Sequence, residues 1–257
     1  MDKLGALLLL LLVGFLAMAV AMPNDSAPEG RILGGDEAAA NYAPYAVSLR
    51  IDNAHVCGAS IVSESHLLTA AHCCYRDGKL VDASRLSARV GSTNQYAGGR
   101  IVTVDSVTPH PDYNQLSNNL AVIKLASPLA LTDRIQTIEL VDMDEALPED
   151  GAKVSVSGWG TTVEGITSFK LRQLDLKLAA SSSCLDAYSD YDPAKSFCLA
   201  HALREGTCHG DGGSAAIHNG RLIGVSNFVV GACGSRYPDV FVRVAGYKDW
   251  LQEQLRN

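Results

Sequence analysis

Alternating apolar and polar positions dominate the chain from residue 44 onward. Tyr45, Val47, Leu49 and Ile51 alternate with smaller or polar residues. Because successive side chains of a strand point to opposite faces, this period of two predicts half-buried β-strands. The same alternation recurs in the segments 153–156, 174–178 and 240–244.

Three further patterns complete the predicted architecture. The nearly continuous apolar run 120–125 is typical of a strand buried on both faces. The pair Asn219-Gly220 between two apolar runs predicts a type I′ hairpin. A helical period is seen only at the end of the chain, in Tyr247, Trp250, Leu251 and Leu255. We therefore predict an all-β fold of many short antiparallel strands, a barrel or a sandwich, with a C-terminal helix.

The N-terminal segment has a different pattern. Lys3 precedes an apolar run, Leu4 to Ala21, that ends in the small residues Ala19-Val20-Ala21. This pattern predicts a secretory signal peptide of residues 1–21, and the polar stretch 22–31 follows it. About 18 apolar residues could also span a bilayer, but the small-residue ending favours cleavage. We expect a secreted, extracellular protein with no membrane association once the signal is removed.

Composition excludes several classes of protein. The 257 residues are 47% hydrophobic and 19% charged, which favours a packed core over disorder. The net charge is −7 and no block of Lys or Arg occurs, so a nucleic-acid partner is not expected. The seven cysteines follow a predicted signal peptide, which favours disulfides over metal ligation. We expect no metal and no other cofactor, and at least one cysteine without a partner in the chain.

Five motifs follow one another in the mature chain. They are Arg31-Ile32-Leu33-Gly34-Gly35, Leu68-Thr69-Ala70-Ala71-His72-Cys73, Ser157-Gly158-Trp159-Gly160, Cys208-His209-Gly210-Asp211-Gly212-Gly213-Ser214-Ala215 and Tyr237-Pro238-Asp239-Val240. Together they resemble the chymotrypsin/trypsin-like serine proteases (peptidase S1). The resemblance implies two six-stranded antiparallel β-barrels with a cleft between them. It also implies a short activation propeptide, residues 22–31, before a protease-like domain, residues 32–257.

The positions that the resemblance assigns to catalysis are altered. His72 stands at the position of the general base, but Asn119 replaces the orienting aspartate and Gly212 replaces the nucleophilic serine. Loss of that aspartate costs about 10⁴ in turnover, and loss of the nucleophile about 10⁶. Ser214 lies two residues beyond the nucleophile position and is out of register with the motif. We therefore predict that serine endopeptidase activity is lost and that the three positions are vestigial.

The residues that the resemblance assigns to activation are kept. They imply cleavage between Arg31 and Ile32 and a buried ion pair between the new Ile32 amine and Asp211. Two explanations fit their presence equally well. Either cleavage still causes a change of shape that matters for function, or the residues are only inherited.

The resemblance also implies an altered specificity pocket. Gly206 at the floor carries no charge, and Asp239 could bring a carboxylate in from the wall. The substrate-pairing segment is Ser226-Asn227-Phe228, in which Phe228 either obstructs the mouth of the pocket or swings outward.

The resemblance implies three disulfides, and one cysteine remains. The pairs are Cys57–Cys73, Cys184–Cys198 and Cys208–Cys233. Cys74 is then left as a buried free thiol or, less favoured, as half of an intermolecular bridge.

The leading hypothesis is a secreted, non-catalytic serine protease homologue of the kind abundant in insects. It would be a monomer that binds extracellular proteins, namely proteases, inhibitors or recognition proteins, and regulates a protease cascade such as one of innate immunity. The alternatives are a digestive-type protease with an aberrant site and a structural or adhesive protein.

Overall fold

The computed structural model describes residues 32–115, 117–142, 144–162, 165–229 and 231–256. The predicted signal peptide, the propeptide and Arg31 therefore lie outside the described residues. Within these ranges no helix is long and apolar enough to cross a membrane. The strands are β1 (Asp36–Glu37), β2 (Ala46–Ile51), β3 (Ala54–Ile61), β4 (His66–Thr69), β5 (Tyr75–Arg76), β6 (Lys79–Leu80), β7 (Leu86–Val90), β8 (Arg100–Pro109), β9 (Ala121–Leu125), β10 (Glu139–Leu140), β11 (Lys153–Gly158), β12 (Arg172–Leu178), β13 (Ser196–Ala200), β14 (Ala215–His218), β15 (Arg221–Phe228) and β16 (Asp239–Arg243).

Most of these strands form two closed barrels of six antiparallel strands. The first barrel has the order β2-β3-β4-β9-β8-β7. The second has the order β12-β11-β14-β15-β16-β13 and closes through the pairing of β12 with β13. Two short strands attach to the second barrel, β1 antiparallel to β12 and β10 parallel to β15. The two-barrel architecture implied by the motifs is confirmed.

The alternating side chains fill the interiors of the barrels. In β2, Val47 and Leu49 are fully buried, and in β11 Val154 and Val156 are buried as well. Small barrels close only when such inward residues fill the lumen. One continuous cluster of buried apolar residues includes both sets, so the two barrels pack against each other through a shared core.

The predicted hairpin and C-terminal helix are both present. Asn219 and Gly220 have φ of 48° and 77°, which is the positive-φ pair of a type I′ turn, and they join β14 to β15. The C-terminal helix α2 covers Lys248–Gln254, after a 3₁₀ turn at Val244–Tyr247. Leu251 is its buried residue.

The expectation of a helix only at the chain end is wrong. A second helix, α1, covers Ser181–Ala187. Its buried residue is Cys184, which is held by a disulfide to Cys198 in β13. Because a covalent bond rather than an apolar stripe holds this helix, the hydrophobic period does not reveal it.

Candidate functional site

A cleft of about 400 Å³ lies between the two barrels. The first barrel contributes His72 and Asn119 to its lining, and the second contributes Gly212, Asn227 and Phe228. The fold therefore brings the three catalytic positions of the sequence prediction together in one place.

Local structure fixes His72 and Asn119. His72 lies in a 3₁₀ turn, Ala71–Cys74, that is separated from the end of β4 by one residue, and the neighbouring Cys73 is bonded to Cys57 of β3. Asn119 comes two residues before β9, which pairs with β4. Adjacent strands thus present the imidazole and the amide to each other.

The hydrogen bonds of Asn119 determine which way its amide points. The backbone N–H of His72 donates to Asn119 Oδ1 over 2.8 Å, so this side of the amide must be the oxygen. Asn119 Nδ2 then faces His72 Nδ1 at 2.8 Å and donates to Asn227 Oδ1 over 2.6 Å. An NH₂ group can only donate, so His72 Nδ1 must be the acceptor.

This arrangement places the imidazole proton on the wrong nitrogen for a general base. Burial lowers the pKa of His72 below its ordinary value, which favours the neutral ring. With Nδ1 accepting, the single proton of a neutral ring is on Nε2, the nitrogen that faces the cleft. An aspartate at position 119 would hold the proton on Nδ1 and leave Nε2 free to accept one.

Gly212 lies at the position that a nucleophilic side chain would need. A Cβ built on Gly212 would be 2.5 Å from His72 Nε2 and 2.8 Å from Cε1. The imidazole therefore occupies space that a serine would require. Ser214 does not replace the missing hydroxyl, because its side chain is buried against Gly58 and Gly158 rather than in the cleft.

The loop around Gly210 is held by a histidine that the sequence analysis missed. His55 Nε2 donates to the carbonyl oxygen of Gly210 over 3.1 Å, and Ser48 Oγ is 2.8 Å from His55 Nδ1. Burial lowers the pKa of His55 to about 4, so the ring is neutral at neutral pH and its one proton is on Nε2, which donates to Gly210. In the described part of the chain, the backbone N–H groups of Gly210 and Gly212 donate to no protein acceptor. They are two potential donors at the edge of the cleft.

Asp211 lies behind the cleft with little exposure. Its carboxylate accepts hydrogen bonds from the N–H groups of Gly160, at 2.8 Å, and Cys208, at 3.0 Å. Burial raises the pKa of Asp211 to about 7. Ile32 is also buried, and Leu33 pairs with Gly206, two residues before Cys208. The start of the predicted mature chain therefore lies in the same region as Asp211.

Asp239 approaches the predicted pocket floor, but protein groups already hold its carboxylate. The backbone N–H and the hydroxyl of Thr207 donate to Asp239 Oδ2 over 2.5 and 2.9 Å. His201 Nε2 is 3.4 Å from Asp239 Oδ1. Burial works to lower the pKa of His201, but the Asp239 carboxylate raises it above its ordinary value. A Cβ on Gly206 would touch both Asp239 and His201, so the floor has no room for a larger residue.

Phe228 packs away from the floor of the pocket. Its ring meets Tyr188 edge-on, with the centroids 5.6 Å apart, and it packs against Val240 beside the Cys184–Cys198 disulfide. Phe228 lines both the cleft and a neighbouring cavity of about 510 Å³. It therefore forms a wall between two cavities, and this favours the outward alternative of the sequence analysis.

The three disulfides of the resemblance are present in the structure, between Cys57 and Cys73, Cys184 and Cys198, and Cys208 and Cys233. Cys74 is buried as a free thiol. Two groups of metal-ligand type come together among the described residues, around His72 and around His209. In each group the two cysteines form a disulfide with each other, so they offer no thiolate to a metal.

Comparisons with known proteins identify the family of the chain. The family model described as Trypsin matches residues 32–251. Trypsin epsilon of Drosophila erecta is 34% identical, over 93% of this chain and 94% of its own length. Cationic trypsin-3 of Rattus norvegicus is 33% identical, over 96% of this chain and 98% of its own. The solved structure of neuropsin, described as a serine protease expressed in the limbic system of mouse brain, superposes with a TM-score of 0.77. It is 24% identical and covers 86% of this chain and 98% of its own, which supports the fold alone.

Proposed function

Because the chain belongs to the trypsin family, we propose that it is a secreted member that has lost peptidase activity and acts by binding other extracellular proteins. The observation that carries the proposal is that Gly212 stands beside a His72 whose proton is on Nε2. Such a site lacks a nucleophile and also lacks the acceptor that would activate one.

The expected loss of activity is large. Removal of the nucleophile alone costs about 10⁶ in turnover, and the loss of the orienting carboxylate alone costs about 10⁴. These losses do not add, because the three groups act as a unit. What remains is assistance from binding and from backbone N–H groups, about 10³ over water. That remaining acceleration is too small for a working protease.

We propose that this binding regulates an extracellular protease cascade, such as one of innate immunity. The support is that Ile32 and Asp211 are kept and buried while the catalytic residues are not kept. A cleft that remains open between the barrels supplies a surface for a partner. Secretion is part of the proposal and is supported by the three disulfides, which persist in oxidising compartments.

An active digestive-type protease is the second candidate, because the relatives are named trypsins. The interactions that the Asp239 carboxylate already makes argue against a trypsin-like preference for basic side chains. Its carboxylate is already bonded to Thr207 and lies beside His201. A lysine or arginine would have to compete with both groups.

Turnover of a broad peptide library by the protein cleaved after Arg31 tests the proposal. We expect no more than the residual acceleration of about 10³ over the uncatalysed rate. Gly212→Ser alone should stay inactive, because Asn119 still holds the wrong tautomer and the new side chain meets His72. The double variant Gly212→Ser/Asn119→Asp should exceed the single variant by up to about 10⁴. Sequence-selective hydrolysis by the unaltered protein would contradict the proposal.

A further inference from the structure

A short hairpin stands at the rim of the cleft. It consists of β5 and β6, which pair antiparallel with Tyr75 opposite Leu80 and Arg76 opposite Lys79. The turn between them is Asp77-Gly78, and its φ values of 50° and 74° are those of a type I′ turn. This tight turn fixes which side chains face each other across the hairpin.

The base of the hairpin is attached to the first barrel. The backbone N–H of Val81 donates to the carbonyl oxygen of Cys74 over 2.8 Å, and the ring of Tyr75 meets that of Tyr113 with the centroids 5.2 Å apart. Arg76, which is exposed, lines the cleft. The hairpin therefore holds this cation at a fixed place beside the cleft.

Two like charges face each other on this hairpin. Because Arg76 and Lys79 are directly opposite, their side chains leave the same face with the Cβ atoms about 5 Å apart. Like charges in such a pair destabilise a hairpin. Among the described residues neither cation forms an ion pair, not even with Asp77 at the turn, and Arg76 donates one N–H to the carbonyl oxygen of Tyr75 over 2.8 Å. The rim of the cleft thus carries a repulsion that no described carboxylate relieves.

The lining of the cleft does not offset this positive charge. None of its described residues is acidic. Burial lowers the pKa of His72, and the charge of Arg76 lowers it further, so this charge is felt inside the cleft. An incoming carboxylate would relieve the repulsion between Arg76 and Lys79 and could take two parallel hydrogen bonds from the guanidinium fork.

We propose that the hairpin and the adjoining cleft form a docking surface for an acidic segment of a partner protein, whose Asp or Glu side chains bind between Arg76 and Lys79. This inference rests on the proposed function, because it names the partner that the cleft binds. A peptide segment fits better than a sulfated polysaccharide. Two cations beside the acidic turn residue Asp77 make a local site rather than a long basic track, and the cleft of about 400 Å³ has room for the residues that flank a carboxylate.

Binding of blocked octapeptides, measured by calorimetry at low salt and about pH 7.5, tests the inference. The peptides alternate Ala and Ser and have acetyl and amide ends, so no chain-end carboxylate is present. One adjacent pair of positions carries Glu-Glu, Gln-Gln or Lys-Lys, and this pair is moved along the peptide. At its best position Glu-Glu should bind about tenfold more tightly than Gln-Gln, since hydrogen bonds to charged groups are stronger than neutral ones. Lys-Lys should bind more weakly than Gln-Gln, and added salt should reduce the preference.

Four variants locate the carboxylates. Arg76→Gln and Lys79→Gln should each remove most of the preference for Glu-Glu. Arg76→Lys keeps the charge but loses the planar fork, so it should retain only part of the preference. Arg100→Gln is the matched control, because it removes the same charge at an exposed position outside the lining of the cleft. It should keep the preference.

Urea unfolding of the free protein tests the repulsion without any ligand. Arg76→Gln and Lys79→Gln should each shift the midpoint to higher urea, because each removes one of two opposed like charges. The double variant should gain less than the sum of the two single shifts, since the repulsion can be removed only once. A lower midpoint for both single variants would mean that the two cations do not repel each other and would contradict the inference.

The outcomes separate this inference from the proposed function. Equal binding of the Glu-Glu and Gln-Gln peptides, no binding of any peptide, a preference that survives in both Arg76→Gln and Lys79→Gln, or tighter binding of a heparin fragment than of any peptide would each overturn the docking surface. None of these outcomes implies hydrolysis. Cleavage of the peptides into fragments, detected by mass spectrometry, would instead overturn the proposed function on which the inference rests.

Discussion

Cleavage after Arg31 is expected to stabilise the folded protein increasingly as the pH rises. Asp211 is 1% exposed, and burial raises its pKa from an ordinary value of 3.8 to about 7. In the uncut chain the nitrogen of Ile32 is an uncharged amide. Cleavage converts it into an α-amine, which carries a positive charge up to a pH of about 8. The buried carboxylate of Asp211 would then gain a positively charged partner, which it lacks in the uncut chain.

The magnitude follows from the pKa of Asp211. One pKa unit is about 1.4 kcal/mol, so a rise from 3.8 to about 7 corresponds to about 4 kcal/mol. This penalty on the uncut protein is absent below pH 3.8, grows as the pH rises toward 7 and is constant above that. An adjacent amine would remove most of it. The stability of the cleaved form relative to the uncut form should therefore rise by up to about 4 kcal/mol between about pH 4 and about pH 7.5.

Urea unfolding at about pH 4 and at about pH 7.5 measures this difference in the free energy of unfolding between the cleaved and the uncut form. The two samples are the uncut protein and protein cleaved after Arg31, with the cut verified by intact mass. Asp211→Asn is the control: it removes the titrating group, so the difference between its cut and uncut forms should not change with pH in this range. If the unaltered protein gives the same difference at both pH values, Ile32 and Asp211 do not form an ion pair after cleavage, and the reasoning is refuted.

Two further predictions concern processing and the free thiol. The secreted protein should begin at Met22 or close to it, because Ala19-Val20-Ala21 is a cleavage pattern; an intact mass that still includes Met1 would contradict this. Burial raises the pKa of Cys74 to about 12, so iodoacetamide should modify one thiol per chain only after unfolding. Rapid modification of the native protein would mean that Cys74 is accessible.

Period-two alternation predicted four of the twelve barrel strands, β2, β11, β12 and β16, because each inward side chain must be apolar to fill a small lumen. The segments around Val47, Val154 and Val240 are strands in the structure. The pattern could not predict helix α1, since a disulfide at Cys184 rather than an apolar face holds it. The two-barrel topology came from the motifs, because strand patterning alone does not separate a barrel from a sandwich.

The residues of the site were predictable, but their interactions were not. His72, Asn119 and Gly212 followed from motif positions, and the structure brings them to one cleft. The tautomer of His72 required three distances around Asn119 that no sequence pattern contains. His55 and His201 were missed because each acts through a partner that is remote in sequence, Gly210 and Asp239. No spacing rule marks a single histidine of this kind.

Labelling with a serine-directed fluorophosphonate, followed by intact mass, tests most directly whether the site has a nucleophile. The protein cleaved after Arg31 should gain no adduct, because Gly212 has no side chain and Ser214 is buried away from His72. The double variant Gly212→Ser/Asn119→Asp is the positive control and should be labelled at the introduced hydroxyl in proportion to the activity that it recovers. A stoichiometric adduct on the unaltered protein would contradict the account, since it would mean that a competent nucleophile lies in the cleft.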